Sequence, residues 1–284
     1  MTRRRPHELA LIATAVVIVA VLIGLPLATI LAEAWQSGLG IYARLLRDPL
    51  ELAALRLTIV AALLAVTFNT VFGLLAGWTL SRYRFWGKTA LASAIELPLS
   101  ISPVISGLGI LLLVGARAPI GGWLEAHGIR IAFAQPGIVF ATILVAFPYV
   151  AREFAAVLEQ RGIEHEESSL TLGATAWQTF FRVTLPIARW ALIDGILLCA
   201  ARSVGEFGAV SVVSGNIQGI TETLPLRIAA LYNDYQTTAA FATASMLALF
   251  AIAVSWARSL VRGHLERRDE DAEQRAAIGA SVAA

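Results

Sequence analysis

Six stretches of this chain are apolar enough and long enough to cross a bilayer, and that leaves few folds open to it. Residues 9–32, 57–80, 131–150 and 237–257 carry no charged side chain, 89–116 holds Glu96, and 190–215 holds Asp194, Arg202 and Glu206. A helix needs about 20 apolar residues to span the hydrocarbon layer, where every backbone N–H and C=O must be satisfied internally. A chain of 284 residues that is 57% hydrophobic and 15% charged has too little polar surface for a water-soluble domain of its size. The expected fold is all-α, a polytopic bundle of six transmembrane helices over residues 1–262, with a charged tail over 263–284.

The first apolar run follows Arg3, Arg4 and Arg5 and ends on Ala32-Glu33-Ala34, a pattern that a secretory signal also shows. Its length exceeds the usual apolar core of about 7–15 residues, so the reading is a retained helix. Lys and Arg then set the orientation. Fifteen of the 22 lie at the amino terminus, in 81–88, in 152–189 and from Arg258 onward; six lie in the alternate loops and Arg202 within a span. Positive loops stay in the cytoplasm, which places both termini and the 164–186 stretch on that side. A net charge of +2 gives no ground for nucleic-acid binding, and a single cysteine, Cys199, excludes an intramolecular disulfide or a cysteine zinc site.

Two spans are unusual. The third contains Pro98, Pro103, Gly107 and Gly109. Such residues are tolerated in membrane helices where neighbours or water re-satisfy the backbone. The bend is either a packing kink or the lining of a solute path. In the fifth span Arg202 lies about 18 Å beyond Trp190 along a helix, near mid-membrane, with Glu206 one turn further. A base inside the membrane costs about 2.5–3.5 kcal/mol, so it faces protein or water. Either the pair neutralises itself as a strut, or Arg202 sets a field that favours an anion in transit.

The longest polar-rich segment, 164–186, reads EHEESSLTLGATAWQTFFRVTLP. It parses as two short helices around a hinge. Acidic residues open the first, where they favour the positive end of the helix dipole. Gly173 stands where a left-handed cap is wanted, and Thr175 with Gln178 fits a capping box that starts the second helix. Trp177, Phe180 and Phe181 share one face, and Pro186 is expected to close the segment. By spacing alone this is equally an ordinary loop packed on its own membrane domain.

Glu167, the small pair Ser168 and Ser169, three further positions, Gly173 and a closing Leu185-Pro186 resemble the cytoplasmic loop of ABC importer permeases. That family usually has Glu-Ala-Ala where this chain has Glu-Ser-Ser. The resemblance implies the type I importer permease fold, with the loop docked on an ATPase. Glu167, Ser168, Ser169, Gly173, Thr175, Trp177, Phe180 and Phe181 would then carry the coupling. Further on, GEFGAVSVVSG, TLPL and LYNDYQ are similar to the W-type permease subunits of bacterial sulfate/thiosulfate importers, in a match that runs from Glu167 to about residue 240. It implies an inner-membrane location, a related T-type permease, ABC ATPase subunits and an extracytoplasmic sulfate-binding protein. ATP and Mg would act on the ATPase, and no cofactor on this chain. Molybdate/tungstate permeases share the loop and the kinked third span, and stand as the alternative. Ser214, Gly215 and Asn216 are turn chemistry, either a plain loop or an outer gate that meets the binding protein.

The chain offers no ATPase of its own. Gly87-Lys88-Thr89 mimics the end of a phosphate loop, but position 82, where the earlier glycine belongs, is Arg82. An intramembrane enzyme is a rival class. It would need catalytic or metal-binding groups at the spans, yet His7, His127, His165 and His264 lie outside them, and neither HExxH nor GxSxG occurs. No catalytic or metal site is therefore expected. A purely structural membrane subunit explains the spans, though not the capped loop or the placement of Arg202.

Overall fold

A computed structural model describes the backbone of residues 6–36, 38 and 40–283, and the side chains of 11–36, 38 and 40–263. In chain order, α1 (Pro6–Val19) continues through a π turn at Ala20–Gly24 into α2 (Leu25–Gln36). Then come α3 (Gly40–Leu45), α4 (Pro49–Arg82), α5 (Lys88–Ser100), α6 (Pro103–Val114), α7 (Pro119–Ala126) and α8 (Gln135–Arg161). The short α9 (Glu164–Thr171) and α10 (Ala176–Thr179) lead through a second π turn, Phe180–Thr184, into α11 (Leu185–Val204). The short α12 (Gly208–Val213), α13 (Leu224–Asn233) and the long α14 (Thr237–Ala283) complete the chain. Among the described residues, five helices are long and apolar enough to span a membrane, and the bent pair α5–α6 makes a sixth if counted as one. Leu, Ile, Val and Phe side chains are exposed along them, for example Leu63, Leu112 and Phe140. Hydrocarbon solvates that surface; water would drive it to aggregate.

The bundle is organised around α8. Ile138, Ala141, Val145, Val150, Phe154 and Leu158 are buried along it, with α4 on one flank and α11 on the other. Apolar burial drives little association between helices already in lipid, so close backbone approach must supply the contact. Glycines provide it. A Cβ on Gly73 would stand 3.0 Å from Val150 Cβ, one on Gly77 would stand 2.7 Å from the Ala151 carbonyl oxygen, and one on Gly195 would stand 3.2 Å from Val150 Cα. Asp48 starts α4 by accepting the Leu50 amide at 3.0 Å, and Pro49 occupies a first-turn position that needs no N–H partner.

The third span is not a single kinked helix. It breaks at Ile101-Ser102, and its halves meet at 114°. The residue before a proline is steered away from helical torsions; Ser102 is extended at ψ 134° and Pro103 begins a new helix. The fifth span also differs from the expected 190–215. One apolar helix runs from Ala176 to Val204 and then stops, with α12 as a separate element. Pro186 therefore does not end the 164–186 segment. The π turn just before it passes the Leu185 amide to the Phe180 carbonyl, so the proline falls where a helix restart has no N–H to satisfy. The expected tail boundary at 263 is no break in the backbone either, since α14 continues helically to Ala283. The side chains of 264–284 lie outside the described residues.

Candidate functional site

The 164–186 stretch forms a two-helix projection at the Arg82 end of α4. Gly173 has φ +88°, and its amide donates to the Leu170 carbonyl while Ala174 donates to Ser169. These bonds close α9, and Gly173 takes a left-handed backbone conformation that glycine adopts without the Cβ penalty of other residues. Thr175 then caps α10: its hydroxyl accepts the Gln178 amide at 3.3 Å, and Gln178 Oε1 accepts the Thr175 amide at 2.9 Å. Hinge and capping box stand where the sequence puts them.

The side chains divide differently from expectation. Leu172 and Trp177 are 89% and 68% exposed, and Phe181 is 46% exposed beside Trp177 at a ring separation of 4.6 Å. Phe180 joins the same ring cluster, 6.3 Å from Trp177 and 5.1 Å from Phe181, but it is buried and lies against Trp78 at 4.7 Å. Ser168 bonds back to the Glu164 carbonyl, whereas Ser169 reaches Thr179 at 3.1 Å and ties α9 to α10. Next to the exposed knob lies an open groove of about 640 Å³, lined among others by His165, Ser169, Leu172, Gln178 and Arg182.

Glu167 is exposed, and its neighbour Glu166 makes the internal contacts. Glu166 Oε2 stands 2.7 Å from Arg82 Nε, and Oε1 accepts the buried Thr184 hydroxyl at 2.7 Å. Arg82 also donates to the Leu158 and Gly162 carbonyls, at 2.9 and 2.8 Å. Sequence reasoning counted Arg82 only as one of the positive-loop residues. Nothing in its spacing marks a partner 84 positions away.

Arg202 lies in the last turn of α11, three positions before Gly205 ends the helix, and not in the middle of a span. Its Nη1 is 2.6 Å from Glu206 Oε2; Arg202 keeps 28% side-chain exposure and Glu206 keeps 1%. Glu206 is beyond the helix end, and its Oε1 accepts the Ala209 amide at 2.8 Å, capping α12. The two broken spans meet here. Pro103 lies 2.9 Å from where a Cβ on Gly208 would stand, and the Ala209 carbonyl oxygen lies 2.7 Å from a Cβ built on Gly107. Pro98 remains inside α5, one turn before the break. The structure thus brings Pro103 up to the element that Glu206 caps. Asp194, noted in the sequence only as a charge in a span, is a clamp. It accepts Arg258 bidentately at 2.7 and 3.0 Å and Arg262 at 3.2 Å, and so fastens α11 to α14.

At the opposite end, Ser214 is fully buried and its Oγ accepts the Asn216 amide at 3.0 Å, so it shapes a turn and meets no outside partner. Gly215, at φ +72°, packs beneath Phe133, and Asn216 has φ +49° at the surface. A second unforeseen cluster lies nearby. Arg227 stands 3.4, 3.5 and 3.6 Å from Asp48, Glu51 and Glu222 in turn, joining the start of α4 to the segment before α13, while Thr243 of α14 donates to Glu51 at 2.6 Å. Burial pushes the Glu222 carboxyl above its ordinary value; Arg227 pulls it down, and Glu51 and Asp234 push it further up.

Residues 69–268 match the family described as binding-protein-dependent transport system inner membrane component. Sulfate transport system permease protein CysW of Escherichia coli (strain K12) is 42% identical over 264 residues, covering 93% of this chain and 91% of that one. CysW of Synechocystis sp. (strain ATCC 27184 / PCC 6803 / Kazusa) is 48% identical over 242 residues, covering 85% and 88%. Sulfate transport system permease protein CysT of Escherichia coli (strain K12) is 34% identical over 255 residues, covering 90% and 92%. Among solved structures, a bacterial alginate ABC transporter in complex with an alginate pentasaccharide-bound periplasmic protein has a TM-score of 0.68 at 17% identity, covering 92% of this chain and 94% of that one.

Proposed function

The chain belongs to the binding-protein-dependent transport system inner membrane components, and from that premise we propose that it is the W-type permease subunit of an ATP-driven sulfate/thiosulfate importer. The observation that carries the substrate is the 42% identity to a sulfate permease over 93% of the chain. The α9–α10 projection faces the cytoplasm, with both termini on the same side. Leu172, Trp177 and Phe181 dock on the ATPase, and Gly173 sets the angle at which they are presented. ATP and Mg act on that ATPase; this chain contributes no catalytic group.

A T-type permease completes the path, and an extracytoplasmic sulfate-binding protein delivers the anion. The full-length similarity of this chain to both CysW and CysT supports two related subunits facing each other. The solute passes where the two broken spans meet. There Arg202 keeps part of its guanidinium accessible, and Glu206 offsets its charge enough to keep binding weak. Pro103 holds the break open to it and Pro98 bends α5 towards it. Asn216 and Gly215 belong to the outer turn that the binding protein reaches. Only a difference in binding between the inward and outward states can drive the cycle.

The test is uptake of labelled sulfate in cells lacking this chain, with thiosulfate and molybdate as competitors and a complemented control. Loss of uptake, restored by complementation and blocked by thiosulfate, supports the assignment. Unchanged uptake in cells without a parallel sulfate importer overturns the substrate and leaves the permease family standing.

A further inference from the structure

Helix α9 buries none of its eight residues. Packing therefore does not hold it on the membrane domain. It is joined to the rest by two short connections, one at Gly162-Ile163 and one through the Gly173 hinge, and both of these glycines have positive φ. What fixes α9 in place is polar. Arg82 Nε pairs with Glu166 at 2.7 Å, the other two guanidinium nitrogens hold the Leu158 and Gly162 carbonyls, and Glu166 passes the connection on to Thr184. These groups are sheltered: the Arg82 and Glu166 side chains are 10% and 14% exposed, and Thr184 is 1% exposed. The carboxylate–guanidinium pair thus joins the end of α4, the end of α8, the projecting α9 and the π turn that feeds α11.

We propose that Arg82 and Glu166 are positioning residues for energy coupling: their ion pair, extended through Thr184, is the joint that makes α9 move as one body with α4, α8 and α11. This rests on the reading of the 164–186 projection as the ATPase dock. A movement imposed on α9 reaches the spans only through what holds α9 to them. With the ion pair cut, α9 is left with its two glycine connections and the Ser169–Thr179 bond to α10, and most of the imposed movement is lost in the joint. Guanidinium suits this task because its fixed fork of donors engages a carboxylate and two carbonyls at once, which lysine does not match.

The experiment uses the whole importer, purified with its partner permease, ATPase and binding protein and placed in liposomes. Sulfate uptake and ATP hydrolysis are measured on the same sample. Glu166→Gln keeps an acceptor for Thr184 and removes the charge facing Arg82. The expected result is normal assembly and continuing hydrolysis, with sulfate moved per ATP reduced about fivefold or more, the lower end of ordinary coupling between sites. A purely structural role would lower the amount of complex and leave that ratio alone. Arg82→Cys with Glu166→Cys should show the same loss, and a short bis-methanethiosulfonate cross-linker, which forms a disulfide with each thiol and releases methanesulfinate, should restore the ratio until reductant removes it.

An unchanged ratio in Glu166→Gln, or no recovery on cross-linking, overturns the joint. If Glu166→Gln does not accumulate, Thr184→Val carries the same test, since it severs the second arm alone. Trp177→Asp separates the two ideas. If it releases the ATPase while Glu166→Gln couples normally, the dock stands and the joint falls. If Trp177→Asp keeps the ATPase bound at the normal level, the dock itself falls.

Discussion

Arg202 and Glu206 stand 2.6 Å apart, yet they belong to different elements: Arg202 closes α11, and Glu206 caps α12 through the Ala209 amide. The pair therefore splices two helices across a break. Glu206→Ala strips a nearly buried carboxylate from both partners. It should destabilise the protein by about 2–3 kcal/mol, less than a fully buried pair because Arg202 keeps 28% exposure. Thermal unfolding in detergent measures it. Arg202→Gln also leaves the Glu206 carboxylate without its counter-charge, so uptake is compared at matched protein level, where it should be slower; normal uptake at matched level removes Arg202 from the path.

At Gly173 a Cβ would meet nothing within 4 Å, so any effect of substitution there is conformational and not steric. Its φ of +88° costs an ordinary L-residue about 1–2 kcal/mol, and a β-branched one more. Gly173→Asn should behave close to wild type, whereas Gly173→Val should hydrolyse ATP with little uptake. Wild-type uptake by Gly173→Val at equal expression would refute the hinge.

Leu172 and Trp177 present their side chains to solvent without burying them in this chain. Burying either against a partner contributes about 1.5–3 kcal/mol. Leu172→Asp and Trp177→Asp should each lower the fraction of ATPase that copurifies by about tenfold, a factor that 1.4 kcal/mol produces. Phe180→Ala should act in a different way. It opens a hole against Trp78 and lowers the melting temperature, at about 3–5 kcal/mol for a buried Phe.

Burial holds the Glu222 carboxyl above its usual 4.5. The folded protein binds that proton more tightly than the unfolded chain does. The stability it contributes is complete below pH 4.5 and is lost as pH rises through the raised value. Glu222→Gln has no such dependence. The melting temperature of wild type minus that of the variant should therefore fall from pH 4.5 towards neutrality and then level off. A difference that stays constant across that range contradicts it.

The spans were legible because hydrocarbon imposes one requirement on every turn of a helix, and composition alone reports it. The hinge and capping box at Gly173, Thr175 and Gln178 were legible for a related reason, since each is settled within four residues by local backbone geometry. What could not be read depends on distant partners. Asp194 finds Arg258 across 64 positions, Glu166 finds Arg82 across 84, and Arg227 gathers Asp48, Glu51 and Glu222 from two segments. The shared face of Trp177, Phe180 and Phe181 was legible from their spacing, but the burial of Phe180 was not, because Trp78 lies 102 positions away. The start of the fifth span was misread because Pro186 stops a helix in isolation and is absorbed by the π turn at Phe180–Thr184.

The unbroken helix from Ala176 to Val204 makes the projection and the Arg202 break the two ends of one lever. At 1.5 Å per residue, Ala176 and Arg202 are about 39 Å apart, so a tilt of about 10° shifts one end by about 7 Å relative to the other. Asp194 grips Arg258 along the way, and the lever therefore drags α14 with it. On the proposed path through that break, opening a passage the width of a small tetrahedral anion asks for no unfolding and no new secondary structure. It asks for a few degrees of rotation in a rod that is already in place.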